Sequence, residues 1–190
     1  MGCCMSETTN KGTPYLGLGS AKVDEWSEGV YRALSECPIA RHGHWSRWEP
    51  GYLLLIVDRV DGEEVDPIQL YTADEELTVE FGHWICHLPD DRPSKANPEL
   101  AAEKAKQLIQ EWLNNEIKTA VFTDIRGKWC GSMVIEAGDL NAQLMSGVQS
   151  FRKGSPHKVE LRSLHRRDWT TILVSSAWLV DPPLSPDRLP

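Results

Sequence analysis

Hydrophobic and polar residues alternate along much of the chain, and this period of two predicts that antiparallel strands dominate the fold. An aliphatic stretch over 52–60 ends at Asp61-Gly62, a dipeptide typical of two-residue hairpin turns, and a second stretch returns over 65–71. Pro67 in the returning stretch indicates an edge or irregular strand, because proline lacks a backbone donor. The pattern therefore predicts a first hairpin.

The same alternation continues in the rest of the chain. Further strands are predicted over 77–85, 117–125, 128–135, 157–162 and 168–180. The short link Arg126-Gly127 predicts that the strands on either side of it form a second hairpin, with Lys128 and Trp129 at its tip. The last two strands are expected to pair with each other as antiparallel neighbours.

Three segments show helical rather than strand periodicity. A helix is predicted over 23–37 and ends before Pro38, and a short one is predicted within 138–147. The clearest helix runs over 98–114, with Asn97 as its N-cap. The elements together predict an α+β fold, in which a mostly antiparallel sheet of about six to seven strands packs against one or two amphipathic helices.

The chain of 190 residues has the length of one domain, since domains commonly span about 100–200 residues. Residues 1–20 are rich in Thr, Gly, Ser and Asn and are expected to form a flexible arm. A single α+β domain is predicted over 21–180, followed by a proline-rich tail over 181–190.

Net charge and cysteine content indicate the class of binding partner and the cellular compartment. The formal net charge of −8 argues against nucleic-acid binding, which depends on Lys and Arg, and suits a basic protein partner. Five cysteines form no even framework, which favours a reducing cytoplasm. No apolar run approaches the roughly 18 residues of a membrane span, and no secretory signal is evident. The oligomeric state is left open by these features.

The first six residues, Met-Gly-Cys-Cys-Met-Ser, match a lipidation pattern. Gly2 would accept a myristoyl chain, while Cys3 and Cys4 would accept palmitoyl chains, and two lipids suffice for stable anchoring. Under this alternative the protein is a lipidated adaptor at a membrane. Translation that begins at Met5 would remove the motif.

His83 and His87 have the spacing of a helical metal pair, but the surrounding period is that of a strand. Four residues of strand span about 13 Å, whereas zinc ligands lie about 2 Å from the metal. A shared metal would require a bend at Gly82 and further ligands such as His42 and His44. We therefore predict no metal, no cofactor and no catalytic residue.

Aromatic and imidazole groups are more consistent with a recognition surface, because aromatic residues anchor protein interfaces. The candidate interaction residues are His83, Trp84, His87, Trp129, His44, Trp45 and Trp48. The segment that contains the last three either stacks on a partner or tucks its tryptophans under a loop.

The enzyme alternative is a small hydrolase that depends on a metal or a thiol and uses His83, His87 and Cys86. Neither Cys86 nor Cys130 lies in a Cys-x-x-Cys pair or at the start of a predicted helix, where a thiol pKa would fall. Burial in the core is the expected role for both thiols.

The stretch 76–84 (Glu-Leu-Thr-Val-Glu-Phe-Gly-His-Trp), an amphipathic helix and the stretch 127–132 (Gly-Lys-Trp-Cys-Gly-Ser) follow one another along the chain. This order resembles small uncharacterised bacterial proteins of the polymorphic-toxin immunity type. The resemblance implies an intracellular binding protein that occludes the active surface of a partner, and it carries no catalytic residue across. A basic nuclease-like toxin would suit the acidic balance of the chain.

Overall fold

The computed structural model describes residues 22–88, 97–136, 138, 140–175 and 178. Its helices are α1 (Glu25–Ser35), α2 (Pro38–His42), α3 (Pro98–Leu113) and α4 (Leu140–Ser150). Its strands are β1 (His44–Arg47), β2 (Leu53–Val60), β3 (Glu63–Ala73), β4 (Glu76–Phe81), β5 (Trp84–Leu88), β6 (Ile117–Thr123), β7 (Trp129–Glu136), β8 (Lys158–Arg162) and β9 (Thr170–Leu173). The predicted α+β class with antiparallel strands is confirmed. The predicted arm and tail, and the lipidation candidates Gly2, Cys3 and Cys4, lie outside the described residues.

The first sheet is an antiparallel meander in the order β1-β2-β3-β4-β5. Asp61 and Gly62, at φ +51° and +84°, connect β2 to β3 and confirm the predicted turn. Asp74 and Glu75, at φ +50° and +62°, connect β3 to β4 in the same left-handed conformation. Turns with two left-handed residues match the twist of the strands that they join.

The predicted single strand over 77–85 is wrong, because this segment contains a third tight hairpin. β4 turns back at Gly82 and His83, whose φ angles are +56° and +70°, and β5 pairs beside it with Phe81 opposite Trp84. Turns of this kind usually carry Asn-Gly or Asp-Gly, and a histidine in the left-handed conformation is uncommon. The dipeptide Gly82-His83 therefore gives no turn signal in the sequence.

Pro67 does not mark an edge strand, since β3 lies between β2 and β4. It occupies an irregular part of the strand instead. Pairing with β4 begins only at Gln69, and the register with β2 shifts between Val57 and Arg59. The missing backbone donor therefore falls where the ladder is already interrupted.

Helices α1, α2 and α3 cover one face of this sheet. The predicted cap of α3 is confirmed, because Asn97 Oδ1 accepts the backbone N–H groups of Glu99 at 2.8 Å and Leu100 at 3.3 Å. Helix α1 packs against the start of α3, where a Cβ on Gly29 would lie 2.7 Å from Pro98 Cγ. The buried cluster beneath the helices includes Trp26, Val30, Leu34, Leu55, Ile68, Phe81, Ile109 and Trp112.

The second sheet has the strand order β7-β6-β8-β9. Ala120 and Phe122 of β6 pack with Leu144 and Val148 of α4 in a second buried cluster. Ile117 of β6 belongs to the first cluster, so β6, an inner strand of this sheet, is buried on both of its faces. No helix among the described residues is long and apolar enough to cross a membrane.

The two sheets meet where the β4–β5 turn reaches β6. A Cβ added to Gly82 would lie 2.6 Å from Thr119 Oγ1 and 2.8 Å from Trp112 Cη2. The Trp112 ring in turn lies 4.5 Å from the Phe81 ring, measured between centroids. Only a glycine allows the turn to approach the strand and helix this closely.

We expect Gly82→Ala to lower the free energy of unfolding by about 2–5 kcal/mol, because overpacking costs about 1–3 kcal/mol and a left-handed backbone about 1–2 kcal/mol. Gly62→Ala is the matched control, since its φ is +84° but no atom lies within 4 Å of the added Cβ. The control is expected to lose only the backbone contribution. Denaturant unfolding of both variants measures the difference, and equal losses would show that the contact at Gly82 does not hold the sheets.

Candidate interaction surface

On the face of the first sheet opposite the helices, the side chains form two rows that run across the strands. Each of the five strands contributes one residue to each row. The strand register places His44, Ile56, Gln69, Glu80 and Ile85 in the first row. It places Ser46, Leu54, Tyr71, Thr78 and His87 in the second row. We call these two rows the open face.

Most side chains of the open face are exposed or half-exposed, and Thr78 is the buried member. Ile85 on the outermost strand is 50% exposed. An antiparallel sheet that faces solvent on one side normally carries polar residues there. Leu54, Ile56, Tyr71 and Ile85 are instead apolar or aromatic, which is a composition typical of interfaces.

The charge of the open face is negative. Glu80 is its carboxylate, and Glu76 lies at its border, where its Oε1 is 2.7 Å from His87 Nδ1. The same imidazole nitrogen lies 3.0 Å from the hydroxyl of Thr78. Neither row contains a lysine or an arginine. The face is therefore a partly apolar surface that attracts basic groups.

The two tryptophans predicted in the segment 44–48 have different roles. Trp45 is half-buried on the covered face and makes an edge-to-face contact with Tyr31, with 5.1 Å between the ring centroids. Trp48 is 41% exposed and packs edge-on against Tyr71 at 5.4 Å, which places it beside the open face. Its indole nitrogen donates a hydrogen bond to the Thr72 carbonyl at 3.0 Å, so the exposed ring has a fixed orientation.

A tyrosine completes the aromatic group around Trp48. Tyr52 stacks on Trp48 with 6.2 Å between ring centroids. Its hydroxyl donates to Asp74 Oδ1 at 2.7 Å, and this hydrogen bond raises the pKa of Tyr52. The aromatic group is thereby tied to the acidic β3–β4 turn.

The remaining three candidates do not lie on the open face. Trp84 packs against Phe81 at 5.3 Å on the covered face. His83, held at the β4–β5 turn, has its ring 6.2 Å from the Trp129 ring in an edge-to-face contact. The structure thus brings His44, Trp48 and His87 to one surface and joins His83 with Trp129 at another.

The thiol and imidazole candidates of the enzyme alternative are separated by strand alternation. Cys86 faces the core, whereas the adjacent His87 lies on the open face. Cys130 donates to the Gly154 carbonyl at 3.0 Å, and burial together with the Asp124 carboxylate raises the pKa of this thiol. Among the described residues, no group of three or more His, Cys, Asp or Glu side chains is arranged to hold a metal ion.

A cleft of about 230 Å³ lies where the β8–β9 loop meets the start of β3, and sequence reasoning did not identify it. The buried Asp66 pairs with Arg166 at 3.4 Å, and the exposed Glu63 pairs with Arg167 at 3.0 Å. These ion pairs fasten the loop to the first sheet.

Comparisons with protein-family models, with curated proteins and with solved structures find no match to this chain.

Proposed function

We propose that this protein is a binding module of the immunity type, which covers a functional surface of a basic partner protein with its open face. The observation that carries the proposal is the pair of five-residue rows on the first sheet. They form a continuous surface that is partly apolar, acidic and without lysine or arginine.

The charge of the surface selects the class of partner. A surface with Glu80 in its first row and Glu76 at its border repels acidic molecules, and the formal net charge of −8 extends this repulsion to longer range. A basic protein, such as an enzyme that acts on nucleic acid, is attracted from a distance and oriented toward this face. The resemblance to immunity proteins supports the same class of partner.

The aromatic and aliphatic side chains supply the anchors. Ile85 on the open face and Trp48 beside it are exposed large hydrophobic residues, and Tyr71 lies between them on β3. Such residues, once desolvated by a partner, contribute most of the binding free energy in protein interfaces. Because Trp48 is held by its hydrogen bond to Thr72, little side-chain entropy is lost on binding.

The first test is binding to the product of the gene encoded beside that of this protein. We expect the double variant Glu80→Lys, Ile85→Lys to raise the dissociation constant about tenfold to a hundredfold, because it reverses the charge of the open face and removes an apolar anchor. The two new lysines lie opposite each other and repel by about 0.2–1 kcal/mol, and because both positions are exposed or half-exposed we expect the fold to be retained. Isothermal titration calorimetry measures the change.

Glu136→Lys is the matched control, since Glu136 is an exposed strand glutamate on the second sheet. It is expected to bind as the unaltered chain does. Growth of cells that express the neighbouring gene product should be rescued by the unaltered chain and by the control, but not by the double variant. Failure of the unaltered chain to bind that product would contradict the proposal.

The charge argument makes a second, kinetic prediction. The association rate constant with the basic partner should fall by roughly tenfold or more as the ionic strength rises from a few millimolar to physiological values, because salt screens long-range attraction. The dissociation rate constant should change much less. Stopped-flow measurements across a salt series separate the two, and an association rate that is independent of salt would exclude electrostatic steering.

A further inference from the structure

The tip of the β6–β7 hairpin presents apolar side chains to solvent. Ile125 and Arg126 are the central residues of a turn that closes where the Gly127 N–H donates to the Asp124 carbonyl at 3.0 Å. Ile125 is 78% exposed, and Trp129 at the start of β7 is 54% exposed. Exposed turns normally use Pro, Gly or small polar residues, and a β-branched aliphatic side chain contributes nothing to this turn.

The backbone of the tip is held in one conformation. Asp124 Oδ1 accepts the N–H groups of Arg126 and Lys128, both at 2.8 Å. The Asp124 N–H donates to the Lys128 carbonyl, also at 2.8 Å. The carboxylate is therefore engaged by the backbone, and the exposed side chains project from a preorganised turn.

Basic side chains surround this tip. Lys158 pairs in register with Thr123, the last residue of β6 before the turn. The 3₁₀ turn Arg152–Gly154 packs beside it, because Gly154 accepts a hydrogen bond from Cys130. The basic pole, as we call this end of the second sheet, consists of Arg126, Lys128, Arg152, Lys153 and Lys158. In a chain of net charge −8, these cations are segregated from the acidic open face.

We propose that the hairpin tip binds the surface of an anionic lipid membrane, with Ile125 and Trp129 in the headgroup region and the basic pole against the anionic headgroups. The membrane interface accommodates all three components. Indole rings are favoured there, aliphatic groups reach the acyl boundary, and each Lys or Arg gains from the negative surface potential.

Other anionic partners use only part of this arrangement. A nucleic acid would stack on Trp129 and contact the cations, but it offers no apolar surface to Ile125. An acidic protein partner would need a concave surface that fits around the protruding tip of the β6–β7 hairpin. A bilayer adapts to any protruding shape, so it fits the tip as the structure presents it.

The test uses the full chain produced in bacteria, where Gly2 is not myristoylated, so that binding reports the tip alone. We expect cosedimentation with vesicles of phosphatidylcholine and phosphatidylserine in equal parts, and little with phosphatidylcholine alone. Ile125→Asp and the double variant Arg126→Glu, Lys128→Glu should each lower the partition coefficient by at least about tenfold.

Leu100→Asp is the matched control, because Leu100 is a 51%-exposed aliphatic residue on α3, away from the tip. It should bind vesicles as the unaltered chain does. A second readout is quenching of tryptophan fluorescence by bromine-labelled acyl chains, which should fall in Trp129→Phe because that variant removes the inserted indole.

Several outcomes would overturn the proposal. These are no binding to the anionic vesicles at low salt, an equal loss of binding in Leu100→Asp, or unchanged quenching in Trp129→Phe. Tighter binding to a single-stranded oligonucleotide or to polyglutamate, with the same dependence on Arg126 and Lys128, would assign the basic pole to that partner instead. The proposal concerns a surface separate from the open face, so its failure leaves the partner proposal intact.

Discussion

The close approach of Gly82 to Thr119 and Trp112 is the contact on which the rest of the architecture depends. It joins the first sheet, strand β6 of the second sheet and the long helix at one point. The same turn places His83 beside Trp129, so it also contacts the tip of the β6–β7 hairpin. A side chain at position 82 would clash with β6 and α3, because an added Cβ would lie 2.6 Å from Thr119 Oγ1 and 2.8 Å from Trp112 Cη2.

This junction allows the two sheets to present different surfaces. The first sheet uses one face for the helices and leaves the other to its two cross-strand rows. The second sheet has its inner strand β6 covered on both faces and instead presents its hairpin tip. The charges follow the same division, with carboxylates on the open face and Lys and Arg at the basic pole. A molecule with this distribution has a preferred orientation between a basic and an acidic partner.

Local signals in the sequence were sufficient for the elements whose geometry is determined locally. Asn97 followed by Pro98 identified the start of α3, and Asp61-Gly62 identified the first hairpin, because caps and tight turns depend on a few neighbouring residues. Gly82-His83 was not identified as a turn. Its conformation is supported by contacts with Thr119, Trp112 and Trp129, which are distant in the sequence.

The candidate sites show the same limit. Residue type alone singles out histidines and tryptophans as candidates, but only the full five-strand register brings His44 and His87 to one face. Trp45 and Trp84 lie on the covered face of the sheet, whereas Trp48 lies beside the open face. The strand register decides on which face each side chain lies. The predicted strand over 117–125 includes Ile125, because the alternation with polar neighbours continues into the turn, whereas β6 ends at Thr123.

The meander has a consequence for the order in which the protein forms. Every pair in the first sheet joins consecutive strands, so this sheet closes only short loops and can assemble early. Strand β6 must instead find β8 across the intervening β7 and α4, which is a slower search. During synthesis the first sheet and α3 emerge before β6, so the side of the β4–β5 turn that contacts Thr119 stays uncovered until β6 arrives. Gly82 is thus synthesised early, but its contact with Thr119 forms only late in folding.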